Sequence, residues 1–351
     1  MRAPDFIVVG GGLLGLLTAR ALAREGARVA LYDKGEPGRE ASWAGGGILA
    51  PLHPWRCPPR LWRLVVRSRG LYPRLAEELR EETGIDPEWT PSGLLVLDPE
   101  PDEAERALAW AREHGEALRP VEGAELRELE PGLGPGHTRG LWLPWVAQIR
   151  NPRLLKALLR SLERLGVEIH AGEPVEALAL EGGRVTGVRT PQGLRPAGAV
   201  IVTAGAWTPL IRPLEDLPIR PVRGQMLLLR ARPGALRRIL LQGDRYLVPR
   251  RDGRVLAGST VEEAGYDKST DPGAAEALRA FAASLVPALA GAPLERHWAG
   301  LRPRAEGGEP FIGPHPDLRS LYLCAGHFRT GVASGLGSAD ILVEQLAAAT
   351  A

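Results

Sequence analysis

The chain has 351 residues, 44% of them hydrophobic and 25% charged, with a formal net charge of +2; that length suits two domains sharing an interface, and so small a charge gives no electrostatic case for nucleic acid or an anionic membrane as partner. Two cysteines, Cys57 and Cys324, are too few for a disulfide framework and fit a reducing compartment. No signal-peptide pattern precedes the first apolar run and no run reaches the roughly 18 residues of a membrane span, so the expected location is cytoplasmic.

Phe6-Ile7-Val8-Val9 is an apolar run that predicts a strand buried on both faces, as in a parallel sheet. Gly10, Gly12 and Gly15 follow in the spacing G-x-G-x-x-G: one glycine for the tight turn, one for close approach of a pyrophosphate, one for helix–strand packing. Leu16 to Arg24 continues as a helix, whose first turn offers free N–H groups and a positive dipole end to phosphate. A second strand, Arg28 to Tyr32, ends at Asp33, where a ribose hydroxyl needs an acceptor. Together these predict a dinucleotide site; the alternative is a tight βα turn that binds nothing. The next unusual stretch, Gly38 to Pro51, is rich in glycine and small residues around Ser42. It either lets a flat ring or a phosphate lie against main chain or is a flexible surface loop.

Pro58 to Thr83 has the period of one long amphipathic helix or a broken pair. Gly93 to Leu97 reads as a short strand, Asp102 to His114 as a surface helix, and Pro131 to Pro144 as a crossover between domains. Asn151-Pro152 predicts a helix start with Asn151 as cap, closed at Gly166. Strands are expected at 167–169, 175–180 and 184–189. Ala199 to Trp207 is another buried strand running into a small-residue turn, read as closing the first sheet. From Pro221 alternating strands at 225–230, 246–249 and 254–257 predict an antiparallel sheet, covered by a helix over 271–289 with Asp271 as cap. A last buried strand, Leu321 to Gly326, precedes a glycine run and a final helix from about Ser338 to Ala348.

No second G-x-G-x-x-G follows a strand, which disfavours a reductase drawing electrons from NAD(P)H. The seven histidines form no i, i+4 pair and no C-x-x-C is present, so no metal is expected. No G-x-S-x-G or Cys/His signature points to a hydrolase. Three late segments carry the remaining chemistry. Arg245 to Arg250 sets the Tyr246 phenol among guanidinium groups on a strand, Gly300 to Arg304 points Arg302 between the domains, and Gly326 to Gly331 places Arg329 between a buried strand and a helix. A buried arginine must find an anion, and its planar fork suits a small carboxylate. Salt bridges are the alternative for both arginines, and a core or rim position for Tyr246.

Five segments carry a family resemblance: Gly10 to Gly15, Ala41 to Leu49, Tyr246 to Arg250, Trp298 to Pro303 with Pro310 to Gly313, and Ala325 to Gly331. On them the chain resembles the FAD-dependent amine oxidases of the D-amino-acid oxidase superfamily, most closely the glycine oxidases of thiamine biosynthesis. The resemblance implies a two-domain α/β (α+β) fold. Residues 1–90, 141–218 and 300–351 would form a discontinuous Rossmann-type FAD-binding domain, and 91–140 and 219–299 an antiparallel-sheet substrate domain. It implies FAD as cofactor, with Gly10, Gly12, Leu13, Leu14, Gly15, Asp33 and Lys34 along the adenosine and pyrophosphate. Ala41, Ser42, Gly46, Gly47 and Ile48 would line the flavin side and Val175 the adenine end. His327, Phe328, Arg329, Thr330, Gly331, Val332 and Ala333 would wrap the isoalloxazine. Arg302 and Arg329 would hold a substrate carboxylate, with Tyr246 helping to fix it.

The resemblance also implies the reaction. The α-carbon of a small neutral amine such as glycine, sarcosine or D-alanine gives up a hydride to FAD, water hydrolyses the imine, and O2 as acceptor leaves as H2O2. No side-chain base is required if the substrate arrives deprotonated, and none is nominated. A homotetramer, and iminoglycine supplied for the thiazole of thiamine, are further implications. Three departures touch the flavin edge and the pocket wall: Thr330 where the family has Asn, Val332 to Leu336 where it has Ile-Leu-Leu-Ala-Pro, and Val261 where a glycine oxidase has methionine. Two other readings stay open: a carrier-linked dehydrogenase of D-amino acids or sarcosine, and a nucleotide-binding protein without turnover.

Overall fold

The computed structural model describes residues 3–350. The first apolar run is the strand Phe6–Val9, parallel to Val29–Asp33 on one side and Ala199–Val202 on the other, with Val8 opposite Leu31 and Ile201. The whole sheet runs Phe311–Pro314, Leu321–Ala325, Ala199–Val202, Phe6–Val9, Val29–Asp33, Glu168–Ala171, parallel except at the Phe311–Pro314 edge. Its central strands are apolar at successive positions because both faces are covered. Val8, Leu31 and Ile201 pack against the helices Leu13–Arg24, Pro59–Thr83, Asn151–Arg164 and Gly331–Thr350. Ile7, Val9, Ala30 and Val200 pack instead against Leu178, Val185 and Val188 of a three-stranded antiparallel sheet.

The second large sheet has eight strands, in the order Leu294–Ala305, Ile219–Arg230, Arg254–Gly258, Arg245–Pro249, Ile239–Gln242, Leu94–Leu97, Arg139–Leu143, Arg119–Glu122. It is antiparallel apart from the pairing of Ile239–Gln242 with Leu94–Leu97. One face, with Leu227, Leu229, Leu247 and Ala257, is covered by Leu278, Ala282 and Leu285 of the helix Pro272–Leu285. The other, with Met226, Tyr246 and Val248, meets Ile48 and Ala50 of the glycine-rich stretch. This second contact brings the two sheets together, and the site lies there.

Several expectations are corrected. Ala199–Val202 does not close the first sheet, because Leu321–Ala325 pairs on its outer side. Pro131 to Pro144 is not simply a crossover: its second half is the strand Arg139–Leu143, buried between two neighbours. Pro59–Thr83 is one helix with Pro73 inside it. Asp271 does cap the helix after it, accepting from Gly273 and Ala274 N–H, but that helix ends at Leu285. The final helix begins at Gly331, well before Ser338. Its glycines are packing surfaces: a Cβ at Gly337 would sit 3.1 Å from Ser68 Oγ, and one at Gly335 3.5 Å from the Leu13 and Leu14 side chains. Close packing between helices overrides the low helix propensity of glycine. The strand Leu294–Ala305 pairs along its length with Ile219–Arg230, across the expected boundary at residues 299 and 300. Among the described residues no helix is long and apolar enough to cross a membrane.

Candidate active site

A cavity of about 540 Å³ runs between the two sheets, within the size range of ligand and cofactor sites. At one end lies the first glycine turn. Gly10 has φ +104°, and its N–H donates to Tyr32 O at 2.7 Å. Thr203 Oγ1 donates to the Gly10 carbonyl at 2.7 Å, tying the turn to the neighbouring strand. Asp33 Oδ2 accepts the Gly11 N–H at 2.7 Å and Oδ1 the Gly35 N–H at 2.8 Å. The carboxylate thus braces the turn, and with about four acceptor sites it keeps lone pairs for a hydroxyl in the cavity it lines. Lys34 Nζ pairs with Glu40 Oε1 at 3.1 Å and lies 4.1 Å from the centre of the Trp207 ring.

The stretch 38–51 is no flexible loop. Gly46 through Ala50 are buried, and their path is held by two polar side chains. Asn151 Nδ2 donates to Ser42 O at 2.7 Å and Gly45 O at 3.1 Å. The Asn151 side chain therefore does not cap its helix, where no side-chain cap is formed; it pins the cavity wall. The buried Arg250 guanidinium donates to Gly46 O at 2.9 Å and to Gln148 Oε1 at 2.7 Å, and burial lowers its pKa to about 10. Ser42 Oγ accepts the Leu13 N–H at 2.9 Å, standing in as the missing cap of the first helix. These supports escape sequence reading, since each joins residues far apart in the chain.

At the other end, the predicted substrate residues separate. Arg302 and Tyr246 both line the cavity. Arg302 Nη1 donates to Thr260 O at 3.1 Å and Arg223 O at 3.4 Å, and Nη2 to Ser259 Oγ at 2.7 Å. Every one of these partners is neutral, and among the described residues no carboxylate lies within ion-pair distance. Burial pulls its pKa below the ordinary guanidinium value; Tyr246 opposes that shift and Arg329 adds to it. A Cβ at Gly224 would collide with the guanidinium, so glycine there is what lets Arg302 lie across the sheet. Tyr246 Oη donates to Met226 Sδ at 3.4 Å. Arg329 also lines the cavity, but it is tied to Asp244, through Oδ1 and the carbonyl at 3.1 Å each. The salt-bridge alternative therefore describes Arg329, while Arg302 takes no such partner.

The remaining predicted residues divide by placement. Gly10, Gly12, Leu13, Leu14, Asp33, Lys34, Ala41, Ser42, Gly46, Gly47, Ile48, Val175, His327, Phe328, Gly331 and Val332 all line the cavity. Three do not. Gly15 packs on the Gly10 carbonyl, Thr330 donates its hydroxyl to His327 O at 2.9 Å, and Ala333 faces Trp62, Val65 and Trp110. Val261, expected at the pocket wall, is 43% exposed and outside the cavity; Met226 fills the wall beside Tyr246.

His327 is buried, and its Nε2 lies 3.1 Å from Ser338 Oγ. That hydroxyl donates to Ser334 O at 2.8 Å, so the imidazole nitrogen must be the donor. Burial lowers the His327 pKa from 6.5 to about 4. Between these values the unfolded chain binds a proton that the folded chain refuses, so stability falls as pH drops through the window, by about 2 kcal/mol at about pH 5. Replacing His327 with Asn is expected to shrink the loss of Tm between about pH 7 and pH 5; equal losses in both proteins would contradict this assignment.

The residues fit a flavin dinucleotide. The first residues of two helices, Leu13–Arg24 and Gly331–Thr350, line the cavity, and helix N-termini favour negative charge there. Ala41, Ala44, Gly45, Gly46 and Gly300 add a wall of small residues, against which a flat ring can lie; a Cβ at Gly46 would meet the Tyr246 ring at 2.8 Å. When bound, FAD supplies a two-electron acceptor.

Comparison with known proteins agrees. The model of the family described as FAD dependent oxidoreductase matches residues 5–345. A glycine oxidase of Pseudomonas aeruginosa is 45% identical over 341 residues, covering 96% of this chain and 93% of that protein. The bifunctional protein ThiO/ThiG of Trichormus variabilis is 32% identical over 349 residues, 97% of this chain and 53% of that one. The crystal structure of glycine oxidase from Bacillus cereus superposes with a TM-score of 0.92 at 30% identity, covering 99% of this chain and 95% of that one. Since the family match takes in every residue that lines the cavity, from Val9 to Val332, the cavity and the relatives lead to one conclusion: the chain belongs to the family of FAD dependent oxidoreductases.

Proposed function

We propose that this protein is a glycine oxidase, converting glycine, O2 and water to glyoxylate, ammonia and H2O2, with sarcosine and D-alanine as further substrates. The observation that carries the reading is Arg302, a half-buried guanidinium in the cavity whose present partners are all neutral oxygens. A cation that loses much of its water without gaining an anion is poorly compensated, and the carboxylate of a small amino acid is the anion that its free edge suits. Tyr246 and Met226 line the cavity with it, and the identity to glycine oxidases favours substrates with no side chain or one methyl group. The chain's own contribution is placement: Arg302 holds the carboxylate and the wall from Ala41 to Ile48 backs the ring. The identity to glycine oxidases supports the substrate, and the ThiO/ThiG relative supports use of the imine product in building a thiazole.

In this reading the six-stranded sheet with its helices is the FAD-binding domain and the eight-stranded sheet the substrate domain, which extends through Ala305. A soluble cytoplasmic homotetramer using O2 completes the proposal, and sedimentation of the purified protein tests the assembly. The activity is tested by mixing the yellow protein with glycine, sarcosine, D-alanine and D-proline, first without oxygen and then with it. Bleaching of the flavin by glycine, followed by stoichiometric H2O2 on aeration, is the expected result. Bleaching without H2O2, but with reduction of a dye, would indicate a carrier-linked dehydrogenase; a flavin that no amine bleaches would overturn the enzymatic reading.

A further inference from the structure

We propose that Ser259 is a second donor to the substrate carboxylate and the residue that sets the angle of the Arg302 fork; this rests on the carboxylate-binding role of Arg302. Ser259 is 4% exposed and lines the cavity. Its Oγ accepts from Arg302 Nη2 at 2.7 Å. Because that bond uses a lone pair, the hydroxyl proton is still to be placed, and among the described residues nothing accepts it. The Nη1 edge of Arg302 is spent on the carbonyls of Thr260 and Arg223, so the guanidinium meets a ligand with Nη2 and Nε alone. A carboxylate oxygen seated against Nη2 then lies within reach of the Ser259 hydroxyl, which satisfies its proton and fixes the oxygen from a second direction. Ser259 and Thr260 begin the segment after the strand Arg254–Gly258, and the same segment continues to Glu262, which pairs with Arg223. The carboxylate site is therefore built by two strands and this segment, not by Arg302 alone.

The test uses holoenzyme and two readouts. Acetate, a carboxylate without an amine, is titrated against the flavin spectrum, and glycine turnover is measured in parallel. Ser259→Ala is expected to raise the acetate Kd and the glycine KM about tenfold, the worth of a hydrogen bond to a charged group. Flavin content and Tm should hold at the wild-type values, with kcat within about twofold, because the bond to the carboxylate is made alike in the ground state and the transition state. Ser259→Cys, of similar size but a weak donor, should behave like the alanine variant. An acetate Kd within twofold of wild type in both variants would overturn the proposal, as would losses that accompany a fall in flavin content. Arg302→Lys separates this from the parent reading. If it weakens acetate and the Ser259 variants do not, only the role of Ser259 fails; if it too leaves acetate unchanged, the carboxylate site itself is elsewhere.

Discussion

Arg302→Ala is expected to abolish most of the activity toward glycine while leaving the fold as stable as before or more so. Truncating one partner of a buried charge-assisted pair costs on the order of 2–4 kcal/mol, about 30- to 700-fold in kcat/KM, appearing mainly in KM because the clamp serves ground state and transition state alike. The stability half of the expectation comes from what Arg302 lacks. A structural ion pair broken by truncation leaves a stranded charge and destabilises by about 3–5 kcal/mol. Here the guanidinium has three neutral oxygens as partners and no carboxylate, so its removal relieves a desolvated charge. An apolar replacement that fills the space, Arg302→Met, should raise Tm in the absence of substrate, the usual trade of function against stability. Kinetics on glycine together with thermal melts check both halves. Unchanged KM would remove Arg302 from the substrate site, and a steep loss of Tm would make it a structural residue.

What the sequence disclosed and what it withheld divide along chain distance. The strand Phe6–Val9, the glycine turn and Asp33 are legible because their geometry is local: both faces of a parallel strand are apolar, and a tight turn into a helix has few sequence solutions. The place of Arg302 in the cavity is legible by type, since an arginine at a strand end between two sheets suits a site for an anion. Its partners are not, because Ser259, Thr260 and Arg223 come from separate segments. Arg329 shows the converse. By type it is equivalent to Arg302, yet Asp244, on the turn between Ile239–Gln242 and Arg245–Pro249, reaches it from 85 residues away and makes it an ion-pair partner. Local preference makes Asn151 a helix cap, but the carbonyls of Ser42 and Gly45 are the stronger demand on its side chain.

Glycine to alanine at two helical positions is expected to act with opposite sign. In the helix Leu13–Arg24, a Cβ at Gly15 would overlap the Gly10 carbonyl oxygen and lie 2.6 Å from Thr203 Oγ1. Neither neighbour can yield cheaply, because Gly10 O is backbone and Thr203 Oγ1 is bonded to both Val9 O and Gly10 O. The helix must move off the strand, opening the turn that lines the cavity. Overpacking of this kind costs about 1–3 kcal/mol or more, and Gly15→Ala should be recovered with a lower Tm and much reduced flavin content. In the helix Pro59–Thr83, Gly70 has nothing within 4 Å of a built Cβ. Alanine there removes freedom only from the unfolded chain, so Gly70→Ala should stabilise by about 0.5–1 kcal/mol and keep full flavin content. Tm and the flavin-to-protein absorbance ratio, measured on both variants side by side, decide the matter. A Gly15→Ala protein with full flavin would mean that the helix does not depend on close approach to the turn, and the dinucleotide-binding role of that turn would lose its physical basis.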